Sequence, residues 1–165
     1  MRFLLPGDAA GLDSFAGGEH QNEVTALEDC EVCVIPAYRA EVLGRYSEAT
    51  CARLRALLST QLADSEAHAL MLARLNAPQR VARFLLELSR RWSERGFSPT
   101  NFRLPMGRRA IGQHLALTTE TVSRVLSDLQ SRGWLELPWR EVRILELGKL
   151  EELLAPGAHA EAHQA

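Results

Sequence analysis

Apolar and polar positions along the chain change their spacing near Pro36. Before it the pattern is short and broken: "RFLLPGD", a Gly-rich loop "GLDSFAGGEHQN", then "EVTAL" and "EVCVI", which predict short strands divided by turns. From about Ala37 the spacing turns helical, and no Pro or Gly interrupts Ser47 to Asn76, a long helix for a small domain. Along it Leu58, Leu62, Ser65, Ala69 and Leu72 step by four, three, four and three, the a/d spacing of a coiled-coil seam. So short a seam leaves open packing against the helix's own domain. The scarcity of other apolar surface nearby in sequence to cover it favours a homodimer.

"NAPQR" then punctuates the chain, because Asn76 suits an N-cap and Pro78 a first helical turn. The new helix is predicted to run to Gly96, burying Phe84, Leu85, Leu88 and Trp92. Further on, two short helical segments, Arg108 to Leu115 and Thr118 to Arg132, are separated only by a tight turn at Ala116-Leu117. A helix, a short turn and a second helix hold the second one out from the domain. On it Val122, Val125, Leu126 and Leu129 form the apolar stripe, and Thr119, Glu120, Ser123, Arg124 and Ser127 the opposite face.

That polar face admits two readings, a solvated surface or a base-reading one. Arg suits bidentate contact with guanine, Glu accepts from cytosine, and Ser bonds to a base or a phosphate. The residues after Gly133 favour base reading: "WLEL", a turn at "PWRE" and a return as "VRILEL" predict a β-hairpin wing, with Trp134 and Trp139 as hairpin packing. Arg124 is then expected to contact a base, and Arg108 and Arg109, opening the preceding helix, to contact phosphate.

Charge sharpens this division. The net charge of -2 is uneven: residues 1–75 carry 6 basic and 11 acidic side chains, net -5, whereas residues 76–154 carry 13 basic and 9 acidic, net +4. An acidic module thus joins one able to approach a polyanion. No stretch reaches the roughly 18 apolar residues of a membrane span, and Pro6 and Gly7 break the first apolar run too early for a signal peptide, so a cytoplasmic protein is expected. Cys30, Cys33 and Cys51 form no even disulfide framework, which agrees with a reducing compartment. Cys30-x-x-Cys33 has the spacing of a redox or zinc motif, and a redox or metal-binding protein is the alternative function. A second pair is lacking, and in a strand residues three apart point to opposite faces. No Ser-His-Asp or paired-carboxylate constellation is present, so an enzyme is not expected.

The stretch "RGFSPTNFRLPMGRRAIGQHLALTTETVSRVLSDLQSRGWLEL" resembles the DNA-binding domain of the Crp/Fnr superfamily, and within it the Fnr branch of oxygen and redox regulators. The resemblance continues through the long helix to "GDAAGLDSF" and "ALEDCEVCVIP", similar to the end of the family's β-roll sensory domain, and covers Met1 to Leu154. It implies an α+β architecture: an incomplete β-roll over residues 1–36, a dimerisation-helix region over 37–75, a winged helix-turn-helix over 76–154 and a flexible tail over 155–165. It implies a transcription regulator that binds double-stranded DNA as a homodimer and touches RNA polymerase. Glu120, Ser123 and Arg124 match the triplet that reads TTGAT-type half-sites in an inverted repeat. Arg108, Arg109, Thr118, Thr119 and Ser127 would contact the DNA backbone.

Three departures qualify the resemblance. The chain begins inside the β-roll, so it reads as truncated at its N-terminus, without the cysteine cluster that supplies most ligands of a 4Fe-4S centre in the Fnr branch. Cys33 matches the remaining ligand position, and one thiolate cannot hold a cluster that wants four, so no cofactor is expected in this chain, although a full-length form would be a candidate for one. Where cyclic-nucleotide members place an Arg-Ser pair against the phosphate, the matching residues are His20 and Gln21, which argues against a cyclic nucleotide. The turn that commonly carries Gly has Ala116 here.

Overall fold

The computed structural model describes residues 2–16 and 18–155. Contacts separate Arg2–Ala69 from a unit that begins at Leu70. The expected tail lies, from residue 156 on, outside the described residues. Among the described residues no helix is long and apolar enough to cross a membrane.

In the first unit a single 3-10 turn, Leu12–Ala16, precedes a loop gathered on Asp13. The Gln21 amide donates to its carboxylate at 2.8 Å and the Asn22 side chain at 3.1 Å, and these bonds hold the group near a pKa of about 2. The strands expected at "EVTAL" and "EVCVI" do not form. Residues 19–35 are exposed and join no ladder, with Val32 at 79% and Val34 at 83% exposure. β-propensity alone does not make a strand; it needs a ladder partner, and among the described residues none reaches this segment. Among the described residues, the segment expected as a partial β-roll therefore holds one 3-10 turn and irregular chain, with no strand. Helices α1 (Ala37–Tyr46) and α2 (Glu48–Arg74) follow, the second uninterrupted, as the absence of Pro and Gly predicts.

The second unit is built on α3 (Ala77–Ser93). Its start is a capping box: the Asn76 side chain accepts from the Gln79 amide at 3.1 Å, while Gln79 accepts from the Asn76 amide at 3.1 Å. The Gln79 side-chain amide also donates to the Leu153 carbonyl at 2.9 Å, fastening the start of α3 to the last turn of the domain. The helix stops at Ser93, three residues before Gly96, and the intervening turn closes where Gly96 takes φ +80°. Val81, Phe84, Leu85 and Leu88 are buried and Trp92 is half-buried.

Three short antiparallel strands, β1 (Asn101–Arg103), β2 (Leu135–Glu136) and β3 (Glu141–Ile144), form a sheet in the order β1-β3-β2. The β2-β3 pair, Leu135 opposite Ile144 and Glu136 opposite Arg143, is the predicted wing, shorter than expected. "LEL" after Ile144 does not continue the strand, because Leu147 opens a short helix, α6 (Leu147–Glu152), that buries Leu150. Between β1 and β2 lie α4 (Arg108–Leu115) and α5 (Thr119–Ser131), the predicted pair of helices.

Candidate nucleic-acid interface

The α4-α5 turn is set by two backbone features. Ala116 adopts the left-handed conformation, φ 52° and ψ 47°, and its amide donates to the Gly112 carbonyl. The Leu117 amide reaches the same carbonyl at 2.9 Å, so the chain folds back onto Gly112. A Cβ at Gly112 would lie 2.6 Å from the Leu117 carbonyl oxygen, closer than atoms can approach. Glycine is thus favoured sterically at residue 112 on the helix, while the left-handed backbone at residue 116 would also suit it. Opposite effects are expected: Ala116→Gly removes roughly 1 kcal/mol of left-handed strain, less the entropy lost by Gly, whereas Gly112→Ala destabilises by about 1–3 kcal/mol through forced displacement of the turn. Denaturant unfolding of the two variants checks both signs.

Thr118 caps α5, its hydroxyl accepting from the Thr121 amide at 3.2 Å and lying 3.1 Å from the Thr121 hydroxyl. Val122, Val125, Leu126 and Leu129 are all buried at the spacing i, i+3, i+4, i+7. Glu120, Ser123, Arg124 and Ser127 repeat that spacing two residues earlier, about 200° around the helix. The core that fixes one face therefore turns the other to solvent. Glu120, Arg124 and Ser127 are exposed and Ser123 is half-buried, while Thr118 and Thr119 are exposed at the helix start.

The ionisation of this face suits contact with base edges and phosphate. The amide of Glu120 itself, and then the Thr118 hydroxyl, hold the Glu120 carboxyl below the usual carboxylate range, so at neutral pH it is an acceptor only, complementary to an exocyclic amine. Arg109 is exposed; Arg108 is half-buried, and burial pushes its guanidinium down from the usual arginine value, leaving it a cation at neutral pH. Both stand in the first turn of α4, where helix amides and dipole favour an anion.

Three residues that matter here carry no local sequence signal or a misleading one. Arg80 donates to the carbonyls of Leu72 at 2.8 Å, Leu75 at 2.8 Å and Leu115 at 3.0 Å, tying the last turn of α2 to the end of α4. Those partners lie up to 35 residues away, beyond any periodicity. Gly112 has a visible type, but its need comes from Leu117 folding over it. Trp139, expected as hairpin packing, is 87% exposed, because the tip of a two-residue turn has no opposing face to pack on. Trp134, at the base of the hairpin, is half-buried, with the Arg132 guanidinium 5.2 Å above its ring.

The expected seam of α2 is open in the single chain. Leu58, Leu62, Ser65 and Ala69 are exposed, Leu62 at 62%, and Leu72 is half-buried.

Cys30 and Cys33 are exposed and Cys51 is half-buried, and among the described residues no three His, Cys, Asp or Glu side chains come together for a metal. The Arg55 guanidinium donates to the Cys51 sulfur at 2.9 Å. His20 and Gln21 are exposed and held to Asp13.

Comparison with known proteins agrees with this geometry. Residues 79–153 match the family described as a Crp-like helix-turn-helix domain. The transcriptional activator protein FnrA of Stutzerimonas stutzeri is 40% identical over 144 residues, 87% of this chain and 59% of the relative. The fumarate and nitrate reduction regulatory protein of Escherichia coli K12 is 36% identical over 151 residues, 92% of this chain and 60% of the relative. The transcriptional regulatory protein btr of Bordetella pertussis is 37% identical over 152 residues, 92% and 63%. The chain thus spans about three fifths of the length of these relatives. Among solved structures, FixK2 of Bradyrhizobium japonicum superposes with a TM-score of 0.66 at 36% identity, covering 72% of this chain and 59% of that one. With its helix-turn-helix, its wing and its identity to these regulators in agreement, residues 79–153 form a Crp-like helix-turn-helix domain, and the chain as a whole is similar to Fnr-like regulators of the Crp/Fnr superfamily.

Proposed function

We propose that this chain is a sequence-specific, double-stranded-DNA-binding transcription regulator of the cytoplasm, acting as a homodimer on an inverted repeat of TTGAT-like half-sites. The observation that carries this reading is the solvent-facing Glu120, Ser123, Arg124 and Ser127 face of α5, on which only Ser123 is half-buried, opposite a buried apolar stripe and beside a turn that a Cβ at residue 112 would crowd. In this reading Glu120, Ser123 and Arg124 enter the major groove and read base edges. Arg108, Arg109, Thr118, Thr119 and Ser127 follow the phosphates on either side. Leu58, Leu62, Ser65, Ala69 and Leu72 form the two-fold seam, and an inverted repeat calls for two reading helices about one turn of the duplex apart. Contact with RNA polymerase follows as the means by which a bound dimer alters transcription.

The test is a titration of the full chain with a duplex carrying a TTGAT inverted repeat and with a scrambled duplex of equal length. Two chains per duplex and an affinity ratio of at least ~10³ at physiological salt are expected. Equal affinity for the two duplexes would contradict the reading.

A further inference from the structure

Helix α1 leaves an apolar face bare. Tyr38, Val42 and Tyr46 follow one another at intervals of four, within an arc of about 80° on the helix. They are 62%, 47% and 88% exposed, and Ile35, just before the helix, is 63% exposed. Among the described side chains of α1 only Ala37 is half-buried. Yet α1 spans ten residues and contains Gly44, and so short a helix holds in water only when an apolar face is covered. Its described side chains find no such cover within the chain, which directs attention outside it.

Two features make a second copy the cover. The first is position. Ser47 alone separates α1 from α2, its hydroxyl accepting from the Thr50 amide at 3.2 Å to cap the second helix. A two-fold axis that closes the α2 seam in parallel therefore brings both α1 helices to the same end of the dimer, with the two α2 axes about 8–10 Å apart. The second is area. The leucines, serine and alanine of the seam bury on the order of 400 Å² per chain, at roughly 100 Å² for each leucine. A stable interface takes about 800 Å² per partner. Stepping back from Leu58 by three and then four gives Arg55 and Cys51, a cation bonded to a thiol at 2.9 Å, so the seam gains no apolar residue toward the start of α2. Tyr38 and Tyr46 together supply roughly 300–500 Å².

We propose that the Tyr38, Val42 and Tyr46 face of α1 is the second half of the dimer interface, packed on the α1 end of a second copy with the tyrosine hydroxyls at its wet rim. The Arg39 Nε already donates to the Tyr38 hydroxyl at 3.2 Å, with the guanidinium 6.0 Å from the ring centre, so this ring is held before the partner arrives. The proposal rests on the homodimer reading above and adds to it an element that the α2 spacing does not contain.

The experiment is sedimentation equilibrium of the full chain over a range of concentrations, for the wild type, Tyr38→Ser/Tyr46→Ser, Tyr38→Phe/Tyr46→Phe and Leu62→Asp, joined to hydroxyl-radical footprinting of the wild-type tyrosines. Tyr38→Ser/Tyr46→Ser should raise the dimer dissociation constant by roughly tenfold or more, and Tyr38→Phe/Tyr46→Phe should stay close to the wild type. In the wild type, Tyr46 should be protected at concentrations that give dimer and reactive on dilution to monomer, a change that a folding defect in a variant cannot imitate. Half-site preference, read where Tyr38→Ser/Tyr46→Ser is still dimeric, should be unchanged. A Tyr38→Ser/Tyr46→Ser chain that dimerises like the wild type, or a Tyr46 equally reactive in dimer and monomer, would overturn the proposal and leave the α2 seam standing. A Leu62→Asp chain that stays dimeric while Tyr38→Ser/Tyr46→Ser dissociates would support the α1 face and remove the α2 seam. A wild type that is monomeric at every concentration would overturn both.

Discussion

Leu62→Asp should convert the protein to a monomer and weaken its binding to the inverted repeat by roughly 10²–10⁴-fold, because the two half-sites would no longer be held by one particle. Leu62 sits in the middle of the seam on α2, 62% exposed in the single chain, one step from Leu58 and Ser65. A carboxylate there would be desolvated against its own two-fold mate if the seam closed. Sedimentation and DNA titration on the same sample check the pair of effects. A Leu62→Asp chain that stays dimeric would remove α2 as the seam, and one that is monomeric but binds the full palindrome undiminished would remove the need for a dimer. Leu58→Asp, one heptad position away, should behave alike.

Arg80→Met should destabilise the second unit by about 2–4 kcal/mol, the sum of several charge-assisted bonds less what water restores at half-buried carbonyls. The guanidinium serves carbonyls from two segments, Leu72 and Leu75 at the end of α2 and Leu115 at the end of α4, where unpaired carbonyls and the helix dipole both favour a cation. Met keeps the length and the packing of the stem, so the loss measures the bonds. Arg80→Lys should recover less than half, since a point charge with a single nitrogen cannot span three acceptors. Denaturant midpoints at constant slope would show this; a change under about 0.5 kcal/mol for Arg80→Met would mean that solvent replaces the bonds fully. Because Arg80 anchors the end of α4 at Leu115, its loss should also weaken specific DNA binding without altering the oligomeric state.

How much of this could be read from the chain depended on whether the cause lay nearby in sequence. The helix-turn-helix was legible because every determinant is local: Val122, Val125, Leu126 and Leu129 at helical spacing, Thr118 as a cap, and a two-residue gap after Leu115. α4 begins and ends where expected, and α5 within a residue. β1 was missed because three residues show no period and its partner, β3, lies some forty residues on. α6 was hidden in "LEL", whose alternation resembles a strand until Leu147 turns helical and buries Leu150. The strands expected before Pro36 fail for the complementary reason. Their residues favour extended backbone, but extension becomes a strand only with a partner. At the interface the polar quartet of α5 was visible as a pattern, whereas Arg80 was not, its role arising entirely from carbonyls brought to it by the fold.

In the reading proposed above, base reading by α5 and phosphate binding by α4 would together make this chain a regulator of particular sites, not a general DNA-coating protein. Arg124 is exposed at the centre of the polar face and Arg109 is exposed in the first turn of α4, so the two can be separated by the kind of affinity each supplies. The deciding measurement is the binding of the wild type, Arg124→Ala and Arg109→Ala to the inverted repeat and to each of its single-base variants, across several salt concentrations. Arg124→Ala should lose on the order of 1–3 kcal/mol per half-site on the preferred sequence and flatten discrimination at one base pair, with little change on scrambled DNA. Arg109→Ala should weaken all sequences alike and reduce the salt slope by about one unit per half-site. If Arg124→Ala instead lost affinity uniformly with its base preferences intact, the polar face of α5 would be an electrostatic surface, and the assignment of Glu120, Ser123 and Arg124 as base readers would be contradicted.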